Sequence, residues 1–313
     1  ELLQELNDRV KFSNNNFSIL MHGWRSDRGR IYIIYGEPQL IDDSYQNNRG
    51  YNYQKWVYSN GKEFIFIDHN QSEDAPNFVS NINVMPTWNL LDKLTKEGLK
   101  KFIYFSTIQI YGNKLKKIIN ESKSPEPINA YGLTHLLSEN ICNYYNNYTE
   151  TKCINLRLSN TYGSPIFSEN NCWSLVINNL CKMAFLNNKI KLLSDGSPQR
   201  DFIHISDLCR AIEIVLCSNN NNLSSNTFNI SSEQTLTILE LANIVREELF
   251  NLKKQKIKIL LPKVKVSSKQ NHLSNIERYK ISSEKIRSLG FRPKTDLKLG
   301  INEIFNYLGE NNL

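Results

Sequence analysis

The spacing of apolar positions changes along this chain. From about residue 77 onward, short apolar runs alternate with longer stretches in which apolar residues recur every third or fourth position. Compact runs at 101–106, 152–157, 189–193, 226–230 and near 256–260 predict strands. The stretches at 82–97, 129–148, 172–187, 206–217 and 236–250 predict helices, with two more near 282–289 and 298–308. Strands that alternate with helices imply a parallel sheet whose faces the helices cover. Before residue 70 the pattern is different. Residues 17–69 are rich in β signals: Arg30-Ile31-Tyr32-Ile33-Ile34-Tyr35 predicts a strand closed by Gly36-Glu37-Pro38. Tyr53–Tyr58 and Glu63–Ile67 predict a hairpin around Ser59-Asn60-Gly61. The polar stretch Gln71-Ser72-Glu73-Asp74-Ala75-Pro76 reads as a linker. The expected organisation is a small β-rich segment, 1–72, followed by an α/β domain, 77–313.

Composition narrows the classes. A chain of 313 residues with 40% hydrophobic and 22% charged residues is long enough for two globular domains. Its formal charge of +7 suits an anionic ligand such as a nucleotide. The lysines are dispersed, however, and no basic stripe for nucleic acid stands out. Those at Lys253, Lys254, Lys256 and Lys258 alternate with other residues, as in an edge strand guarded against aggregation. Six cysteines form no CxxC pair and sit mostly in apolar segments, which predicts buried free thiols in a reducing, cytoplasmic setting. Cys172 and Cys181 either face one ligand cavity or pack in the core, and packing is the simpler reading. The five histidines make no metal-ligand spacing. No run has the length of a membrane span, and no signal peptide is visible; Glu1 is not an initiator methionine, which leaves room for upstream sequence.

Candidate chemistry lies at the carboxyl end of the run 101–106. Thr107 follows that strand, Tyr131 opens the next long helix, and His135 lies one turn further on the same helix face. Proton exchange at a sugar carbon needs a phenol to take and return the proton, a second hydroxyl to hold the oxygen, and a cation to bring the phenol pKa toward neutrality. The plain alternative is that Thr107 caps a strand end and Tyr131 is an ordinary amphipathic-helix tyrosine.

Several segments, in this order, carry a resemblance. They are Asn83-Val84, Thr87-Trp88-Asn89-Leu90-Leu91, Tyr131-x-x-x-His135, Arg157-x-x-Asn160-x-Tyr162-Gly163, Asp195-Gly196-x-x-x-Arg200-Asp201-Phe202-Ile203-His204 and Gly290-Phe291-x-Pro293. Residues 77–313 resemble the extended short-chain dehydrogenases, the NAD-dependent nucleotide-sugar epimerases and dehydratases. The resemblance implies a Rossmann-like sheet with a small C-terminal substrate region, NAD or NADP as cofactor, a UDP-, dTDP- or GDP-linked sugar as substrate, and a homodimer. It also implies that Thr107 orients the substrate oxygen, that Tyr131 is the acid/base, and that Asn83, Tyr131 and His135 lie at the cofactor. Asn160 would lie near the sugar-nucleotide phosphates and Arg200 near the nucleotide. Turn chemistry at Asn160 and a local Arg200–Asp201 ion pair are equally good readings of those two. Residues 1–70 resemble a small bacterial domain named for its GWxTD motif, here Gly23-Trp24-Arg25-Ser26-Asp27, continued by Tyr35-Gly36-Glu37-Pro38 and Trp56-Val57-Tyr58.

Three departures qualify this picture. His135 stands where the family has lysine; it can still donate to a ribose, and can supply charge if its pKa rises. Pro86 replaces a glycine. No two glycines lie closer than Gly23 and Gly29, so the glycine-rich turn that seats a dinucleotide pyrophosphate cannot be written anywhere. The β-rich segment stands where that truncated half is expected. Ile108 and Gln109 occupy the places where dehydratases and sugar-acid decarboxylases of the family carry acids, which favours epimerase-like or keto-sugar reductase-like ancestry. Two functions remain open: a nucleotide-sugar epimerase or reductase using Tyr131 and Thr107, or a non-catalytic module that binds a nucleotide sugar or a protein partner.

Overall fold

A computed structural model of the chain describes residues 2–17, 27–46, 52–67, 76–113, 115–167, 172–219, 223, 225–262 and 278–311. The chain forms two compact units, Glu1–Asn77 and Phe78–Leu313. Gly23 to Ser26 of the GWxTD-like motif and the linker residues 71–75 lie outside the described residues.

The first unit has helices α1 (Leu2–Phe17) and α2 (Asp27–Tyr35) and strands β1 (Leu40–Gln46), β2 (Asn52–Val57) and β3 (Glu63–Ile67). The strands form an antiparallel sheet in the order β1-β2-β3. The expected hairpin is β2–β3: Tyr58 N–H donates to the Lys62 carbonyl at 2.9 Å, and Gly61 takes a φ of +78°, which glycine adopts without a Cβ penalty. The expected strand Arg30–Tyr35 is instead α2. Ile31, Tyr32 and Tyr35 pack on buried Trp56, Tyr58 and Phe66, whereas Ile34 stays exposed. That is a helical face, and its packing outweighs the β propensity of a run of Ile and Tyr.

In the second unit α3 (Pro76–Lys96, continuing from the first unit) leads into β4 (Lys101–Thr107), a 3-10 turn (Ile108–Tyr111), β5 (Ile118–Ile119), α4 (Ala130–Tyr148), β6 (Lys152–Leu158) and β7 (Asn160–Tyr162). Then come α5 (Val176–Asn187), β8 (Lys189–Lys191), β9 (Gln199–His204), α6 (Ile205–Cys217), β10 (Thr227–Ile230) and β11 (Thr235–Thr237). The chain closes with α7 (Ile238–Lys253), β12 (Lys258–Leu260), β13 (Lys280–Ile281), α8 (Glu284–Arg287) and α9 (Leu297–Glu310). This is an α/β fold built on a parallel sheet, β10-β6-β4.

Alternate residues of that sheet feed two cores, as the strand period requires. Tyr104 and Cys153 pack with Leu91 of α3 and Ile141, Cys142 and Tyr145 of α4. Ile154, Leu156, Phe228 and Ile230 pack with Leu208, Ala211 and Val215 of α6. Among the described residues β4 is paired on one side only. A second sheet, β11-β9-β7, and helices α5, α7 and α9 enclose a third core that holds Tyr162, Leu241 and Phe305.

Cys142, Cys153 and Cys181 are buried as expected, but Cys209 and Cys217 are exposed on α6 and Cys172 is half-buried. Cys181 belongs to the third core, which decides for packing over a shared cavity with Cys172. Lys253 ends α7 and Lys254 takes a left-handed C-cap, so only Lys258 lies in the edge strand β12, paired to β8. Among the described residues no helix is long and apolar enough to cross a membrane, and no His/Cys/Asp/Glu cluster suits a metal ion.

Candidate active site

β4 delivers Thr107 to the carboxyl end of the parallel sheet, the edge where open α/β sheets bind ligands. Thr107 is extended (φ −139°), and its Oγ1 accepts from the Gln109 N–H at 3.2 Å, which starts the 3-10 turn. Gly112 ends that turn with φ +75°; a Cβ there would lie 2.4 Å from the Glu126 carbonyl oxygen, so no other residue fits. Asn129 caps α4, its Oδ1 accepting from the Gly132 N–H at 2.8 Å. The cap places Tyr131 in the first turn, half-buried, with its ring edge-on to His135 at 4.5 Å between centroids.

His135 is buried, and its Nδ1 lies 2.9 Å from the Tyr104 hydroxyl on β4. Burial pushes the imidazole down to about 4, opposed by a backbone hydrogen bond at Phe105. The shift runs opposite to the rise that would let this histidine stand in for a lysine charge; at neutral pH the ring is uncharged. Burial likewise pushes the Tyr104 phenol well up.

The other expected residues are held by the scaffold. Asn83 Nδ2 donates to Thr134 Oγ1 at 3.0 Å, and the Asn83 carbonyl accepts from Ser138 Oγ at 3.1 Å, so α3 is tied to the helix that carries Tyr131. Asn160 Nδ2 donates to the Asp201 carbonyl at 2.9 Å, joining β7 to β9. Asn160 lies opposite Phe202, two residues from Arg200, so Asn160 and Arg200 share a face of that sheet. Arg200 is exposed and donates to the Gln199 carbonyl; Asp201 is buried and accepts from Ser232 N–H rather than pairing with Arg200.

Beneath the site lies a polar network that sequence reasoning missed. Arg157 donates through Nε and Nη2 to Glu139 at 2.9 and 2.7 Å, and through Nη1 to the Tyr111 hydroxyl at 2.8 Å. Ser106 Oγ donates to Glu139 at 2.6 Å, and Tyr111 donates to Asn229 at 2.8 Å. One buried ion pair thus joins α4, the end of β4, the 3-10 turn and β10. The signal was in the sequence: Glu139 continues the face of Tyr131 and His135 by one more turn.

A nicotinamide dinucleotide needs backbone amides at a glycine turn for its pyrophosphate. The described residues do not fit it. No glycine turn follows a parallel strand into a helix, the strands before α3 form a separate antiparallel sheet, and Asn83 and His135 are already engaged.

A parallel sheet with helices packed on both faces defines a Rossmann-like α/β fold. The sequence model of the NAD dependent epimerase/dehydratase family matches residues 67–231, more than half of the chain, and the protein belongs to that family. A GWxTD domain model matches residues 1–88. The chain is 26% identical over 249 residues to a putative UDP-glucose 4-epimerase of Methanocaldococcus jannaschii, covering 79% of this chain and 75% of that protein. It is 28% identical over 230 residues to a dTDP-D-glucose 4,6-dehydratase of Bos taurus, covering 74% of this chain but only 61% of the relative. Among solved structures, the UDP-glucose 4-epimerase of Thermotoga maritima with UDP-glucose superposes with a TM-score of 0.61 at 22% identity, covering 76% and 73% of the two chains. The UDP-glucuronic acid 4-epimerase of Bacillus cereus, in complex with UDP-glucuronic acid and NAD, gives 0.59 at 23% identity over 73% and 68%.

Proposed function

We propose that the second unit binds a nucleotide sugar at the carboxyl end of β4, and that Tyr131 exchanges a proton with a sugar hydroxyl that Thr107 holds. The observation that carries this reading is the close approach of the two elements concerned. A Cβ on Gly132, next to Tyr131, would lie 3.0 Å from the carbonyl oxygen of Gln109, two residues after Thr107. Asn160 and Arg200, on one face of neighbouring strands, are the groups we assign to the phosphates and the nucleotide. Ile108 and Gln109 offer no acid for eliminating water, which favours an epimerase-like or reductase-like ancestry over a dehydratase-like one. The residues present do not seat the dinucleotide, so the chemistry assigned to them stops at proton exchange. The names of the relatives support a UDP- or dTDP-linked sugar as the ligand class.

A second reading is a non-catalytic nucleotide-sugar-binding module. The neutral, engaged His135 and the missing glycine turn favour it. Calorimetric titration with UDP-glucose, UDP-glucuronic acid and dTDP-glucose, each with and without NAD, separates the two. Saturable binding that Arg200→Ala weakens supports the shared ligand class, and turnover abolished by Tyr131→Phe supports the enzyme. No binding by any of the three sugars overturns both.

Self-association and a cytoplasmic site remain parts of this proposal. Leu133, Leu137, Tyr144 and Tyr148 are exposed along α4 at helical spacing, and Met85 and Trp88 are exposed on α3, which packs against α4 through Leu91. We assign that face to a homodimer. Sedimentation of the parent and of Leu137→Glu checks it: the parent should be dimeric and the variant monomeric.

A further inference from the structure

A chain of hydrogen bonds runs from Thr107 to the turn of helix that carries Tyr131, through two amide side chains. Thr107 Oγ1 accepts from the Gln109 N–H at 3.2 Å. Gln109 Oε1 accepts from Asn129 Nδ2 at 3.1 Å. Asn129 Oδ1 accepts from the Gly132 N–H at 2.8 Å. The roles along this chain are fixed by chemistry. A backbone N–H can only donate, so the oxygen of Asn129 must face Gly132; its amino group is then left for Gln109, which must present its oxygen.

An N-cap needs only an acceptor. Serine, threonine or aspartate would hold the start of α4 as well as asparagine does. Asparagine caps with its oxygen and has a donor left over, and here that donor is spent on the turn that follows Thr107. Gly132 points the same way: a Cβ there would lie 3.0 Å from the Gln109 carbonyl oxygen and 3.2 Å from Asn129 Oδ1, so the helix start is pressed against the turn. Capping alone requires neither the second amide bond nor this closeness.

We propose that Gln109 and Asn129 are positioning residues, whose amide–amide bond sets the distance between the Thr107 hydroxyl and the Tyr131 phenol. The proposal rests on the reading of Thr107 and Tyr131 as the working pair. It also explains what Gln109 does in a place where an acid would serve elimination: its side chain is directed to the helix cap and holds geometry.

Two substitutions separate positioning from capping. Asn129→Ser keeps an acceptor for Gly132, but its short side chain has no amide group to reach Gln109. Gln109→Glu keeps an acceptor for Asn129, whereas Gln109→Ala removes it. The readout is the 13Cζ signal of Tyr131 in protein labelled with 13C-tyrosine, identified by its loss in Tyr131→Phe and sensitive to the adjoining His135 ring. Asn129→Ser and Gln109→Ala should displace that signal at undiminished thermal stability, and Gln109→Glu should leave it in place. An unmoved signal in Asn129→Ser and Gln109→Ala, or a displacement that only accompanies a fall in melting temperature, overturns the proposal. Addition of UDP-glucose to the parent reports on the function separately: if its Tyr131 signal ignores the sugar while the variants behave as expected, the clamp stands and the proposed function fails.

Discussion

Two buried titratable side chains, His135 and Asp201, carry opposite pH dependences. His135 has its folded pKa pushed down by burial to about 4, from an ordinary 6.5. A depressed histidine contributes stability that is complete above pH 6.5 and is lost as pH falls through about 4. Asp201 has its carboxyl pushed up by burial to about 7, from 3.8. It favours the neutral acid, so its contribution is complete below pH 3.8 and is lost as pH rises through about 7. A tenfold difference in proton affinity between the folded and unfolded chain is worth about 1.4 kcal/mol. Urea denaturation of Asp201→Asn should lack the decline in stability that the parent undergoes between about pH 4 and pH 7. His135→Gln should be less sensitive than the parent to acidification below pH 6.5. If both variants follow the parent curve, neither group titrates as its burial requires. At this scale the sequence was partly legible. The order Thr107, Tyr131, His135 along strand and helix named the candidate residues, but the charge state of His135 depends on its burial, which the sequence order did not reveal.

At the scale of elements, the Glu139–Arg157 pair decides how α4 sits on the sheet. Both side chains are almost fully buried, 2% and 8% exposed. Removing one member leaves the other charged and unpaired, at a cost of about 3–5 kcal/mol. Glu139→Leu or Arg157→Met should therefore unfold at markedly lower urea, while the two together should recover part of the loss. A double-mutant cycle that is additive would contradict the pairing. Leu91→Ala empties the core between α3 and α4 and should cost about 2–5 kcal/mol by the same measurement. Elements with sustained periods were readable: β4, β6 and α4 fall within a residue or so of expectation. Short strands rich in polar residues, such as β9 with Gln199, Arg200 and Asp201, carry too little pattern to be seen. The Gln109–Asn129 bond joins residues across the loop 112–128, and no local spacing announces it. The Arg30–Tyr35 misreading has the opposite cause, a strong local preference overruled by packing on Trp56.

For the whole molecule, the sequence places a β-rich segment ahead of an α/β unit; the hairpin around Asn60-Gly61 forms, whereas Leu2–Phe17 and Asp27–Tyr35 are helices. Calorimetry with NAD should give no saturable heat at micromolar concentrations, since several charge-assisted bonds worth ~1.5–3 kcal/mol each have no donors among the described residues. Micromolar affinity would mean that another segment supplies them. The one-sided pairing of β4 among the described residues has a consequence for time rather than for energy. Along a strand, successive amides point to opposite sides, so alternate N–H groups of 101–107 are bonded to β6 and the others face outward. In deuterated water this strand should exchange in two classes. The β6-facing amides should persist with the core of the sheet, and their neighbours should be lost early, giving an alternating ladder of lifetimes on a strand whose side chains are largely packed. Uniform slow exchange along 101–107 would mean that in solution the outer side of β4 is closed by a further stretch of polypeptide.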